Sequence, residues 1–225
     1  MPNHTQPKPV IIMPAFNEAK EIGSVLKKTV LFHLPVIVVD DGSADQTAVI
    51  ARKYTPNVLS HPLNLGKGAA LKTGCEYAFD YLDASAVIFL DSDNQHDPAE
   101  IKNFIKKIND GYDLVFGIRR LDRQMSLFRR LANQSTSYLI KLLYGQYLPD
   151  IPSGFKAMTR QGYAIVKWET SGYAVELEIA VRTVMNHLPF TTIPINTIYH
   201  TYDRGMTPLD ALLSGLKIIS WKLGL

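Results

Sequence analysis

The chain reads as an α/β domain: a mostly parallel sheet flanked by helices, with an amphipathic helix at the C-terminus. Three observations predict it. Short apolar runs rich in valine and isoleucine alternate with stretches of helical spacing. The runs show little polar alternation, as strands covered on both faces do. Polar clusters at Asn17-Glu18, Asp40-Asp41 and residues 91–97 follow the runs directly, where ligands bind in open parallel sheets. Together these give a Rossmann-like pattern.

Taken in order, residues 10–13 form a buried strand ending at Pro14. Ile22, Val25 and Leu26 give helical spacing to residues 18–30. A second strand at 36–39 stops at Asp40-Asp41-Gly42, and Ser43-Ala44-Asp45-Gln46 reads as a capping box for a helix reaching Tyr54. Val58-Leu59 is a short strand and residues 68–81 a helix. Residues 87–90 are the clearest strand, with Asp91 just past its end. Asp97 caps a helix that opens on Pro98, where the missing amide costs little. Residues 114–116 form a strand, 127–143 a helix, 154–158 a strand, 175–187 a helix and 191–195 a strand. Residues 1–9 are a polar tail, and 10–225 are expected to form one domain.

With 225 residues, one sizeable core is expected. A net charge of +3 argues against nucleic acid as a partner and suits an anionic membrane surface. Cys75 is the single cysteine, so no intrachain disulfide forms, and nothing calls for an oxidising compartment. The N-terminus lacks the apolar run of a signal peptide, and no stretch of eighteen apolar residues occurs. The expectation is a cytoplasmic chain, peripheral at the cytoplasmic membrane face.

The strongest chemical signal is Asp91-Ser92-Asp93-Asn94-Gln95. Carboxylates at i and i+2 past a strand can aim at one divalent cation, and a diphosphate can supply its remaining oxygen ligands. Asp97 already serves as the cap, so the two earlier acids have another use. Asp40, at a strand end, suits hydrogen bonds from a nucleobase or ribose; Asp41-Gly42-Ser43 also reads as a plain turn and cap. Asn64-Leu65-Gly66-Lys67-Gly68 lets amides at a helix start approach an anion, with Lys67 in reach of a phosphate. It is not a Walker A loop. Arg119-Arg120 and Arg129-Arg130 suit phosphate recognition. Glu176 and Glu178 stand two apart on a helix, so one is expected at the cleft and the other in solvent. His33, His61, His187 and His200 lack metal-ligand spacing and are read as structural or surface residues.

These segments resemble the family 2 glycosyltransferases of the GT-A fold. The matching stretches are Pro14-Ala15-Phe16-Asn17-Glu18, Val38-Val39-Asp40-Asp41-Gly42-Ser43, Asn64-Leu65-Gly66-Lys67-Gly68, Asp91-Ser92-Asp93-Asn94-Gln95-His96-Asp97-Pro98 and Gly117-Ile118-Arg119. Asp150-Ile151-Pro152-Ser153-Gly154-Phe155-Lys156 looks like the dolichyl-phosphate and polyprenyl-phosphate hexosyltransferase branch. The resemblance implies a nucleotide-diphospho-sugar donor, a polyprenyl or dolichyl phosphate acceptor, and Mg2+ or Mn2+. It also implies a donor half at 10–119 and an acceptor half at 120–225. Pro14, Asn17, Glu18, Asp40 and Asp41 would form the nucleotide pocket. Asp91, Asp93 and Gln95 would gather the metal, with Ser92, Gly66 and Lys67 beside the diphosphate. Arg119, with Arg129 or Arg130 and Ser137, would meet the acceptor phosphate. Where mannosyltransferases of the branch often carry Ser-Arg, Ala132-Asn133 stands here, which looks more like UDP-sugar-using relatives. The Gln-x-x-Arg-Trp signature of processive synthases is absent.

A phosphate acceptor is already anionic and needs no strong general base. For a hydroxyl acceptor, such as a soluble or cell-surface glycan, Asp150 or Glu178 would serve. A lipid acceptor demands membrane contact. Leu209, Leu212, Leu213, Leu216, Ile219 and Leu223 recur near helical spacing, with Trp221 near the headgroups. The same stripe suits packing on the core, a membrane-anchoring subunit or a second copy of the chain. A nucleotide-sugar binder without catalysis is the rival from another class, and the intact pair of aspartates argues against it.

Overall fold

The computed structural model describes residues 8–119, 127–151, 153–197 and 208–223, with backbone alone for 127–130, 132 and 208–212. Seven strands, β1 (Pro9–Ala15), β2 (Val36–Asp40), β3 (Asn57–Ser60), β4 (Ala86–Phe89), β5 (Leu114–Arg119), β6 (Lys156–Thr159) and β7 (Phe190–Ile195), form one sheet in the order β3-β2-β1-β4-β6-β5-β7. Each falls where the sequence predicts a strand. The pairs β1–β2, β2–β3, β1–β4 and β5–β7 are parallel; β6 runs antiparallel to both β4 and β5.

That arrangement builds a single working edge. The C-terminal ends of β1, β2, β4 and β5 lie along it, and the reversed β6 brings its N-terminal end, at Lys156, to the same side. Residues alternate across the strands, so each face packs its own core. Val10, Ile12, Ile37, Val39, Val87 and Phe89 face α3 (Lys67–Asp80) and α7 (Val175–Met185). Ile11, Met13, Val38, Ile88 and Leu90 face α1 (Ile22–Thr29) and α4 (Ile101–Asn109). Cys75 is fully buried on the α3 face, where burial pushes its thiol pKa up.

Several helix bounds differ from the sequence reading. α1 begins at Ile22 rather than Glu18, because residues 16–21 are drawn into a loop clasped to the end of β2. The helix after β2, α2 (Thr47–Ala51), is not started by a Ser43–Gln46 capping box: Asp45 accepts from the Thr47 N–H at 2.9 Å, and the Ser43 hydroxyl is used by Asn17. Asp97 does cap, accepting from the Ala99 N–H at 3.0 Å, and Pro98 opens a 3-10 turn leading into α4. α5 (Leu127–Tyr144) lies as expected. The sequence reading missed α6 (Arg160–Val166), which Thr159 caps directly at the end of β6.

α8 (Pro208–Leu223) settles the direction of its apolar stripe for the described side chains. Ile218 is buried, Trp221 packs toward the core, and Tyr144 of α5 donates to the Ile218 carbonyl at 2.9 Å. Trp221 therefore belongs to the inner face rather than to the expected outer one. Leu213, Leu216, Ile219 and Leu223 face outward. Leu209 and Leu212 lie outside the described side chains. No helix among the described residues is long and apolar enough to cross a membrane.

Candidate active site

The loops after β1 and β2 are stitched together. The Asn17 N–H donates to Ser43 Oγ at 2.8 Å, and Asn17 Oδ1 accepts from the Ala44 N–H at 2.9 Å. Asn17 has φ 56°, a left-handed conformation asparagine tolerates. The Glu18 N–H donates to Thr47 Oγ1 at 2.8 Å, and the Glu18 carboxylate lies near enough to Asp93 and Asp91 for their charges to interact. Burial, then Asp93, Glu21, Asp45 and Asp91, raise its pKa to about 7. Asp40 is buried beside this clasp and accepts from the Ser43 N–H at 3.3 Å.

Asp41 organises the next loop. Its carboxylate accepts from the Leu65 N–H at 2.9 Å and the Gly66 N–H at 2.7 Å, and His61 Nδ1 lies 2.7 Å away. His61 also meets Thr73 of α3 at 3.0 Å, so it is structural, as read. Gly66 has φ 98°, and a Cβ there would sit 2.6 Å from the Ser171 carbonyl oxygen. Only glycine lets the 66–68 turn lie against residues 170–171 and launch α3 with Lys67 pointing at the sheet edge.

At the end of β4 lies the acidic centre. Ser92 is buried and donates to the Pro14 carbonyl at 2.9 Å, anchoring the loop on β1. Asp93 Oδ1 accepts from the Gln95 N–H at 3.0 Å. Asp91 Oδ1 receives the Lys67 ammonium at 2.6 Å, and Glu176 Oε1 of α7 holds the same nitrogen at 2.7 Å. Burial works against charge on Lys67, but Asp91 and then Glu176 outweigh it and raise the lysine pKa. Gly154 backs Asp91 so closely that any Cβ would land on its carboxylate.

At the end of β5, Asp150 grips Arg119. Its Oδ2 accepts from the Arg119 main-chain N–H at 2.6 Å, and its Oδ1 accepts from the guanidinium at 2.6 Å. Asn133 of α5 reaches Asp150 at 3.4 Å. Ser137, one turn further along α5, is buried and donates to the Asn133 carbonyl at 3.0 Å, so no described contact brings its hydroxyl to the acidic centre. The side chains of Arg129 and Arg130 lie outside the described residues, as does His200.

Neither Glu176 nor Glu178 faces solvent, whereas the sequence reading expected one of the two to do so; Glu178 is the deeper. It is 1% exposed, accepts from the N–H groups of Glu169 and Thr170 at 2.9 and 2.8 Å, and pairs with Arg182 at 2.7 Å. These partners hold its pKa down against burial. α7 is buried nearly all round, so both glutamates are interior.

Sequence reasoning also missed Lys156, Ser153 and His96. Lys156 is buried, donates to the Ser153 carbonyl, and burial lowers its pKa to about 8. His96 is buried against Phe155, and burial pushes it down to about 4. All three fall in the matched stretches 91–98 and 150–156 without a role assigned to them there, and Lys156 also stands out as a lysine inside an apolar strand.

The donor set fits a divalent ion completed by substrate oxygens. Among the described residues no group of three or more His, Cys, Asp or Glu is arranged to hold a metal alone. Asp91, however, already takes a cationic partner in Lys67, and the glycine at 154 puts no side chain against its carboxylate. The Asp91 and Asp93 carboxylates are oxygen donors of the kind that hold Mg2+ or Mn2+.

Comparison with known proteins agrees with this geometry. Residues 10–165 match glycosyl transferase family 2. The chain is 33% identical to an uncharacterized protein of Methanocaldococcus jannaschii, over 93% of this chain and 88% of that one. It is 27% identical to the UDP-N-acetylglucosamine–dolichyl-phosphate N-acetylglucosaminyltransferase of Methanococcus voltae, over 95% and 96% of the two chains. It is 29% identical to the glycosyltransferase AglJ of Haloferax volcanii, over 91% and 67%. In fold it is similar to glucosyl-3-phosphoglycerate synthase of Mycobacterium tuberculosis, solved with Mn2+, UDP-glucose and phosphoglyceric acid: TM-score 0.75, 20% identity, 97% and 80% covered. A parallel-edged sheet with paired aspartates past β4, matched along most of its length by this family, has one reading: the chain is a glycosyltransferase of the GT-A fold and belongs to glycosyl transferase family 2.

Proposed function

We propose that the protein transfers a hexose, with inversion, from a nucleotide-diphospho-sugar to a polyprenyl or dolichyl phosphate. A UDP-hexose is the favoured donor and GDP-mannose the alternative. The observation that carries the reading is the convergence of Asp91 and Lys67 with the Arg119–Asp150 fork at one sheet edge. The relative of nearly equal length, named for UDP-N-acetylglucosamine and dolichyl phosphate, supports the choice of substrates.

The residues divide the work as follows. Pro14, Asn17, Glu18 and Asp40 form the nucleotide pocket, and Asp41 positions the Gly66-Lys67 turn. Asp91, Asp93 and Gln95 would hold Mg2+ or Mn2+. The chemistry such an ion supplies is neutralisation of charge on the leaving diphosphate. Arg119, fixed by Asp150, faces the acceptor phosphate with Arg129 or Arg130. A phosphate oxygen of the lipid attacks the anomeric carbon, its bond to the donor diphosphate breaks, and the nucleoside diphosphate departs. No protein base is needed, which agrees with Asp150 and Glu178 both being engaged in ion pairs. The outward stripe of α8 is proposed to rest on the cytoplasmic membrane face where the lipid is presented.

The test is a panel of labelled UDP-glucose, UDP-N-acetylglucosamine and GDP-mannose incubated with polyprenyl phosphate and Mg2+ or Mn2+. Label passing into the organic phase from one donor supports the reading and names the sugar. Donor binding with no organic-phase label for any lipid tried moves the acceptor to a soluble or cell-surface glycan.

A further inference from the structure

Lys67 lies deeper than a simple phosphate-binding lysine needs to. Its side chain is 15% exposed and sits between two carboxylates from different parts of the chain, Asp91 after β4 and Glu176 on α7. Gly154 lies so close behind the Asp91 carboxylate that no side chain fits between them. Glu176 is itself buried, and Lys156 stands close enough for their charges to interact. The cleft floor thus holds two cations, Lys67 and Lys156, and two anions, Asp91 and Glu176.

A divalent ion held by Asp91 would share its carboxylate with the Lys67 ammonium, which lies 2.6 Å from Oδ1. Two cations crowded on one carboxylate in a poorly solvated cleft repel each other strongly. Lys67 therefore has to leave Asp91, and it can do so at low cost only if another anion receives it. A donor diphosphate is such an anion, and it arrives with the metal.

Resting on the donor reading above, we infer that Lys67 is a resident counter-cation for Asp91 that changes partner, from the aspartate to the donor diphosphate, when nucleotide and metal bind. Glu176 is the positioning residue that keeps Lys67 at the cleft floor through the exchange. Two things follow. The unliganded site is neutralised by its own lysine, which keeps Asp91 in place without a metal. Nucleotide and metal are also coupled through Lys67, because either alone leaves the lysine or the diphosphate short of a partner.

The test reads Lys67 directly. In protein carrying nitrogen-15 lysine, a buried, doubly paired ammonium gives an observable N–H correlation at neutral pH, assigned as the one lost in Lys67→Arg. UDP with Mg2+ is expected to shift that signal, while UDP binding is followed separately by calorimetry. In Glu176→Gln the unliganded signal is expected to weaken, and UDP affinity in Mg2+ to fall roughly tenfold, the loss expected for one charge-assisted contact. A Lys67 signal unmoved while calorimetry shows UDP binding overturns the exchange and leaves the donor reading standing. Full UDP affinity in Glu176→Gln overturns the positioning role. No UDP binding to the unsubstituted protein overturns the donor reading and this inference together.

Discussion

Asp150 holds Arg119 at two levels, accepting from its main-chain N–H and from its guanidinium, each at 2.6 Å. The side chains are 8% and 18% exposed, so water replaces neither partner well. Asp150→Ala is expected to lower stability by about 3 kcal/mol, roughly 6–12 °C in Tm for a chain of this size. Asp150→Asn, which keeps an acceptor and tolerates the φ of 47°, loses less stability. Thermal unfolding of the two variants checks this ordering; an unchanged Tm for Asp150→Ala contradicts it.

Gly154 is expected to be intolerant of a single methyl group. Its Cβ would strike the Asp91 carboxylate, so Gly154→Ala pushes that group off its position while leaving the sheet core untouched. UDP affinity in Mn2+, measured by calorimetry, should fall more than about tenfold, as for loss of one charged contact. Affinity within a factor of two of the parent (roughly 0.4 kcal/mol) would mean that Asp91 takes no part in donor binding.

Glu18 gives a pH signature. Its pKa of about 7 lies above its ordinary 4.5. Between those values the folded chain binds more protons than the unfolded chain, so Glu18 makes stability fall as pH rises, with the loss complete above about 7. Glu18→Gln removes the penalty. In metal-free buffer its Tm should gain on the parent from roughly pH 5 to pH 8. A Tm difference that does not change with pH contradicts the assignment.

The outward stripe of α8 makes a surface prediction. Leu213 and Leu216 are 47% and 55% exposed, so Leu213→Glu with Leu216→Glu should change Tm by less than about 0.5 kcal/mol equivalent. Sedimentation with anionic vesicles should drop sharply in the double variant. Equal sedimentation of both proteins would place the lipid-facing surface elsewhere.

The seven strands were legible because both sheet faces are covered, leaving runs such as residues 36–39 apolar throughout. The direction of β6 was not legible. Nothing in Lys156–Thr159 says that it inserts between β4 and β5 in reverse, and that reversal brings Gly154 to Asp91 and Lys156 to the cleft floor. The expectation that one of Glu176 and Glu178 faces solvent failed because helical spacing assigns a face but does not show that the 169–170 loop offers Glu178 two N–H donors there. Ser43 was misread because its hydroxyl suits a local cap and a long-range clasp equally, and Asn17, 26 residues away, decided between them.

The aspartate pair was legible from its place after β4, but its Lys67 partner was not, since the lysine also suits a phosphate. The most direct test of the account is the initial rate of label transfer from a UDP-hexose to polyprenyl phosphate after dialysis against EDTA. Mn2+ should restore it in the parent protein and fail to in Asp93→Asn. Equal, metal-independent transfer by both proteins would contradict the central claim that the carboxylates past β4 drive sugar transfer to a lipid phosphate.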